Sequence, residues 1–139
     1  MVYMVRIEME YQGDLHCASV HTPSKTELAT DAPIDNQGRG ESFSPTDLIA
    51  TSLGTCMLTT MGIVARTLNV DLTGATAIVE KEMTSTAPRK INRLIVSIQV
   101  PRTTTPENQE RLENAAHTCP VKRSIHPDIE TPIEFHWGE

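Results

Sequence analysis

The first forty residues alternate between apolar and polar positions in a way that predicts three short strands and a loop. A strand is predicted over residues 2–11, because apolar residues alternate with charged ones from Val5 to Tyr11, which is typical of a strand with one buried face. A turn at 12–14 leads to a second strand over 15–21, and a third strand covers 26–30. The polar stretch 31–42 contains one proline and two glycines and is predicted to be a loop.

A long uncharged segment follows this loop, and its beginning carries helix-start signals. Ser44 is suited to the N-cap, Pro45 to the first helical position, and Asp47 to the position from which a carboxylate completes a capping box. The helix is predicted to end near Leu68. Residues 48–65 carry no charge, but seven of them are Thr, Ser or Gly. That polarity favours a helix buried within protein over a membrane span.

The second half of the chain predicts strands, a helix and a final strand. Strands are expected over 75–84 and 91–100, and a helix capped by Thr105 over 106–117. A proline that follows this helix predicts a further short turn over 120–126, and the last strand covers 133–137. Strands, a long helix, strands, a helix and a strand indicate an α+β fold with an antiparallel sheet.

Composition limits the classes of protein and partner. The chain has 139 residues, which suits a single domain, and 38% of them are apolar. Because this apolar fraction is modest for a core, burial of further surface in an oligomer would add stability. The net charge of −6 and the lack of a basic block argue against nucleic-acid and membrane partners. No signal-peptide pattern opens the chain, so we expect a cytoplasmic protein, in which three cysteines indicate redox or catalytic thiols.

The three cysteines differ in their surroundings. Cys56 lies in the middle of the uncharged helix, where a packing role is the simplest interpretation. Cys119 precedes Pro120 and can cap the short turn that follows, where amide N–H groups lower the pKa of a thiol. Cys17 lies in a predicted strand and is expected to be structural. From the residues alone, a catalytic and a packing role remain open for Cys56 and Cys119.

Other candidate chemistry is less well supported by the pattern. The Gly-Arg-Gly-Glu loop at 38–41 precedes the helix, and its glycines allow a close approach of Arg39 to a thiolate, although a solvated loop is the alternative. No Cys-x-x-Cys pair is present, so no metal site is predicted. A thiol hydrolase assembled from a cysteine with His126 and Asp128 remains an alternative.

Two segments resemble the OsmC/Ohr family, named after osmotically inducible protein C and organic hydroperoxide resistance proteins. Residues 43–56, Phe-Ser-Pro-Thr-Asp-Leu-Ile-Ala-Thr-Ser-Leu-Gly-Thr-Cys, are similar to the opening of the family's central helix. Residues 117–121, His-Thr-Cys-Pro-Val, are similar to its second-cysteine motif. The resemblance covers nearly the whole chain and implies one OsmC-like domain over 1–139. It also implies an intertwined homodimer with long central helices between antiparallel sheets.

The resemblance implies a thiol peroxidase that reduces organic hydroperoxides without a cofactor. Cys56 would attack the peroxide, Cys119 would form a disulfide with the oxidised Cys56, and an external thiol or dithiol would reduce that disulfide. Arg39 matches the arginine that stabilises the family's thiolate. The family's glutamate after the helix-opening proline is not present here, so Asp47 or Glu41 is expected to replace it.

Two alternatives to the peroxidase follow from the same residues. One is a non-enzymatic dimeric protein on the same fold that binds a small apolar ligand and keeps both cysteines as packing residues. The other is the thiol hydrolase. The fate of the thiols on exposure to a peroxide separates these functions.

Overall fold

Three antiparallel strands form the sheet of the first of two units, residues 1–48, in the computed structural model, which describes residues 2–138. They lie in the order β1-β2-β3. Their bounds are Ile7–Tyr11 for β1, His16–His21 for β2 and Thr26–Asp31 for β3. The strand predicted over 2–11 begins only at Ile7, because Ile7 pairs with His21, the last residue of β2.

The end of this unit contains the loop and the start of the long helix α1, Pro45–Thr67. The predicted loop includes one 3-10 turn, Ile34–Asn36. The capping box is confirmed: the Ser44 N–H donates to the Asp47 carboxylate at 2.9 Å, and the Asp47 N–H donates to the Ser44 hydroxyl at 3.0 Å. These bonds satisfy amide groups that have no partner inside a helix.

The second unit, residues 49–139, contains most of α1, a second three-stranded sheet and two further helices. Its other elements are β4 (Thr76–Met83), β5 (Ile91–Val100), α2 (Pro106–His117), α3 (Pro120–Ser124) and β6 (Ile133–Trp137). The α+β prediction is confirmed. The predicted short turn ends at Ser124, two residues earlier than expected.

One strand pairing corrects the prediction of purely antiparallel sheets. Strand β4 pairs with β5 in the antiparallel direction, but β6 pairs with β5 in parallel, with Val96 opposite Ile133. Parallel neighbours need a long crossover connection. Residues 101–132, which hold α2 and α3, supply it. This sheet is therefore mixed.

The core of the second unit lies between one face of α1 and strand β5. Buried residues on α1 recur at helical spacing: Ala50, Leu53, Gly54, Met57, Met61 and Ala65. Alternate residues of β5 are buried with them, namely Leu94, Val96, Ile98 and Val100. Each fully buried aliphatic side chain of this kind contributes about 1.5–3 kcal/mol. The helix is therefore fixed by packing rather than by its intrinsic propensity.

Among residues 2–138, α1 is the helix whose length and composition alone would allow it to cross a membrane. Its most apolar 18-residue window has a mean hydropathy of 1.7, and 33% of that window is buried. A core helix passes the same test. The uncharged character of α1 is therefore consistent with a core helix packed against the second sheet.

A close contact at Gly54 gives a first prediction. A Cβ added there would lie 2.9 Å from Cγ2 of Val79 on β4. We expect Gly54→Ala to lower the free energy of unfolding by about 1–3 kcal/mol through overpacking. Gly62→Ala is the matched control in the same helix, since nothing lies within 4 Å of its added Cβ, and it should gain about 1 kcal/mol. Equal effects in urea denaturation would contradict the predicted clash.

Candidate functional site

Cys56 lies in the middle of α1, next to the buried face of the helix. Its side chain is partly buried and packs against the core of the second unit. Leu53 and Met57 flank it on the buried face, and both have no exposed surface. Because residues three apart share a helix face, Cys56 lies on the same side of α1 as the buried Leu53.

Cys119 is the N-cap of α3, as predicted. Its backbone is extended and Pro120 follows at the first helical position. The Cys119 sulfur accepts the N–H of Lys122 at 3.4 Å. The residue has no exposed surface, so the second cysteine is held in a buried turn rather than in a mobile segment.

The thiols of Cys56 and Cys119 lie within hydrogen-bonding distance of each other. Burial raises the pKa of the Cys119 thiol; the amide of Lys122 opposes this, and the hydrogen bond to Cys56 adds to the rise. The prediction that the cap lowers this pKa is therefore wrong in its net direction. The backbone N–H groups of Lys122 and Val121 do lower the pKa of Cys119, but burial of the thiol raises it by more.

This contact brings together two cysteines that are far apart in the sequence. The raised pKa keeps Cys119 protonated at neutral pH, so it can donate its S–H to Cys56. The arrangement therefore places two sulfurs side by side, as a dithiol–disulfide cycle requires.

The remaining predicted site residues lie in the first unit. Arg39 forms an ion pair with Asp14 at 3.3 Å, and both side chains are exposed. Glu41 is exposed in the same loop. Asp47 is engaged in the capping box. The assignment of Arg39, Asp47 and Glu41 to peroxide chemistry remains a prediction.

Cys17 is a free cysteine on β2 and lies opposite Tyr11 and Thr30. It belongs to the first unit, whereas Cys56 and Cys119 both belong to the second. Its partly buried position agrees with the structural role expected from the sequence.

One pair in the first unit was missed by the sequence analysis. The Nδ1 atom of His16 lies 2.6 Å from the carboxylate of Asp31, which is only 5% exposed. The two residues face each other in the β2–β3 register. Extending the predicted third strand by one residue, to Asp31, would have placed them opposite each other.

The hydrolase alternative is not supported by the geometry of its acid–base pair. The His126 Nδ1 atom accepts the backbone N–H of Asp128 at 3.0 Å. In a catalytic triad that nitrogen instead donates a hydrogen bond to the carboxylate. The carboxylate is 3.7 Å away, and both side chains are largely exposed. Within residues 2–138, no three His, Cys, Asp or Glu side chains are grouped to hold a metal ion.

Comparison with known proteins assigns a family to most of the chain. Residues 38–134 match the family model described as OsmC-like protein. A solved structure from Psychrobacter arcticus 273-4, described as that of a candidate osmotic stress induced and detoxification response protein, is 45% identical. Each chain covers 98% of the other, with a TM-score of 0.91. No curated protein sequence matches the chain.

More distant structures share the fold. An organic hydroperoxide resistance protein OsmC from Legionella pneumophila is 17% identical, with 98% of each chain covered and a TM-score of 0.77. An organic hydroperoxide resistance protein from Vibrio cholerae, with captopril bound in one of its active sites, is 20% identical. The match covers 97% of this chain and 92% of the other, with a TM-score of 0.73. At these identities the likeness concerns the fold alone.

Proposed function

Because this chain belongs to the OsmC family, as its family match and a 45% identical relative show, we propose that it is a thiol peroxidase that reduces organic hydroperoxides. Structural relatives are named for organic hydroperoxide resistance and for a detoxification response. The observation that supports the proposal most strongly is the hydrogen bond between the Cys56 and Cys119 thiols.

The first step is the attack of the Cys56 thiolate on the outer peroxide oxygen. The O–O bond breaks, the outer oxygen stays on the sulfur with its proton as a sulfenic acid, and the inner oxygen leaves as an alkoxide that takes a proton from solvent to become an alcohol. We assign to Arg39 the positive charge that stabilises the thiolate and to Asp47 or Glu41 the carboxylate that orients it. These assignments rest on the family resemblance.

The second step joins the two sulfurs. The Cys119 sulfur attacks the Cys56 sulfenic sulfur, and the hydroxyl leaves as water with the proton from the Cys119 thiol. The raised pKa of Cys119 suits this order, because the thiol remains protonated while Cys56 reacts first. An external thiol or dithiol then reduces the disulfide. We assign the reaction to the cytoplasm, a compartment in which thiols are kept reduced.

We also propose that the protein acts as a homodimer. Helix α1 leaves an uncharged face exposed, including Ile49, Thr55, Thr59 and Ile63, the last with 63% of its surface accessible. A solvated helix normally carries charges on its outer face. A second copy of the same chain, packed against this face of α1, is the simplest way to bury it. Sedimentation equilibrium should therefore give twice the chain mass of 15.3 kDa.

Counting thiols tests the peroxidase proposal. One equivalent of cumene hydroperoxide should remove two free thiols per chain, because Cys56 and Cys119 end as a disulfide while Cys17 stays reduced. The Cys17→Ser variant is the control and should lose the same two thiols. Unchanged thiols in the wild-type protein would favour the ligand-binding alternative and refute the proposed reaction.

A second measurement separates the roles of the two cysteines. In Cys119→Ser the sulfenic acid on Cys56 has no sulfur to condense with. We expect one dimedone adduct per chain on Cys56, detected by mass spectrometry after one equivalent of peroxide, and little adduct in the wild-type protein. An adduct on Cys17, or none at all, would contradict the assignment of Cys119 as the resolving residue.

A further inference from the structure

The two sulfurs of the reactive pair differ in their access to solvent. Cys119 has no exposed surface and belongs to the buried core of the second unit, together with Leu112 and Ala116. Cys56 packs against the same core but remains partly exposed. A thiol that attacks a disulfide must reach the sulfur with which it forms the new bond, so the access of each sulfur influences where the attack takes place.

The segment that carries Cys119 is held by hydrogen bonds on both sides of the cysteine. Arg123 donates its Nε–H to the Thr118 carbonyl at 3.1 Å, and its backbone N–H donates to the Cys119 carbonyl at 3.2 Å. The Lys122 ammonium donates to the Thr131 hydroxyl at 2.9 Å. These bonds connect α3 to the residues before and after it, so we expect Cys119 to keep its buried position when a disulfide forms.

Formation of the disulfide requires little movement of the chain. The Cys56 thiol lies within hydrogen-bonding distance of Cys119, so the two sulfurs are neighbours before they are oxidised. Buried side chains at Leu53 and Met57 fix the backbone of α1 on either side of Cys56. We therefore expect the disulfide to form by rotation of the two cysteine side chains, and the difference in exposure between the two sulfurs to persist in the oxidised protein.

The stability of the leaving sulfur has the opposite effect to access. When one sulfur of a disulfide is attacked, the other leaves as a thiolate, and a thiol of higher pKa leaves more slowly. Burial raises the pKa of Cys119, and the amides of Lys122 and Val121 reduce this rise. A slow leaving group lowers the rate of attack on Cys56, whereas a sulfur that no nucleophile reaches is not attacked at all. Access therefore has the larger effect.

We propose that the external thiol attacks the Cys56 sulfur of the disulfide and that Cys119 is the leaving sulfur. This inference rests on the proposed function, in which these two cysteines form a disulfide. The reductant's sulfur bonds to Cys56, and the Cys56–Cys119 bond breaks with its electron pair on Cys119, which takes up the proton that the reductant's thiol has lost. A second thiol then attacks the reductant's sulfur and releases Cys56 in its reduced form, so two thiols supply the two electrons.

Trapping the mixed disulfide identifies the sulfur that is attacked. The Cys17→Ser variant is used so that Cys56 and Cys119 are the two cysteines present, and its disulfide is formed with diamide, without peroxide. The oxidised protein is mixed with 2-mercaptoethanol and quenched in acid at the earliest times, and free thiols are then blocked with N-ethylmaleimide. Peptide mass spectrometry should find at least about ten times more mercaptoethanol on Cys56 than on Cys119.

The same oxidised protein unfolded in urea is the matched control. Unfolding removes the difference in access, so the two sulfurs should carry mercaptoethanol in amounts within about threefold of each other. A ratio in the folded protein no larger than the ratio in urea would overturn the proposal, as would the absence of a Cys56–Cys119 disulfide after diamide. Attack at Cys56 in a protein that does not consume cumene hydroperoxide would instead refute the peroxidase function and retain this inference about the disulfide.

Discussion

Cys56→Ser should lower the rate of hydroperoxide consumption by at least about a thousandfold. A serine hydroxyl is not ionised at neutral pH and does not form a stable product analogous to a sulfenic acid. The substitution is nearly isosteric, and the side chain is only partly buried beside the core, so the fold should be retained. The rate is measured by loss of cumene hydroperoxide under a dithiol reductant in excess.

The matched control for this experiment is Cys17→Ser. Cys17 is also a partly buried free cysteine, but it lies on β2 in the other unit. Its replacement should leave the rate within about twofold, as expected for a residue outside the reactive pair. Comparable losses in both variants would show that the effect is not specific to Cys56, and the assignment of Cys56 as the nucleophile would then be abandoned.

Leu53→Ala should have the largest effect on stability. Leu53 has no exposed surface and lies on the core face of α1, one turn before Met57. Removal of its side chain leaves a cavity against the sheet and should lower the free energy of unfolding by about 2–5 kcal/mol. Urea denaturation followed by circular dichroism measures this value. The protein concentration must stay fixed, because a dimer shifts the apparent stability.

A conservative change at the same position provides the comparison. Leu53→Met keeps nearly the same volume and should cost less than about 1.5 kcal/mol. If the two variants were equally destabilised, the loss would reflect the shape of the side chain rather than a cavity. A loss below about 1 kcal/mol in Leu53→Ala would show that α1 does not depend on this packing.

Local signals in the sequence were sufficient for most elements of the fold. Proline at the first helical position with a capping residue before it correctly predicts the starts of α1, α2 and α3. Strict alternation correctly predicts β5 and β6. The direction of β6 was not predictable in this way, because an alternating pattern is the same for parallel and antiparallel neighbours. It depends on the crossover through 101–132, which is a tertiary feature.

The candidate site was predictable only in part. The family motifs identify Cys56 and Cys119, and their contact agrees with that choice. The sign of the pKa change at Cys119 was missed, since burial of a residue after a helix end depends on the packing around it. The His16–Asp31 pair was also missed, because the sequence assigns Asp31 to a solvated loop. Asp31 is buried because the end of the loop folds back onto it, with the Asp31 N–H donating to the Phe43 carbonyl.

The parallel addition of β6 also affects how the protein is made. Cys119 lies in the crossover that precedes β6, so it leaves the ribosome well after the helix that contains Cys56. At translation rates of about 5–20 residues per second, this delay lasts several seconds. In the proposed mechanism, a nascent chain would then hold the attacking sulfur of Cys56 without the resolving sulfur of Cys119. An oxidant present during synthesis would therefore over-oxidise Cys56 irreversibly more often than in the finished protein.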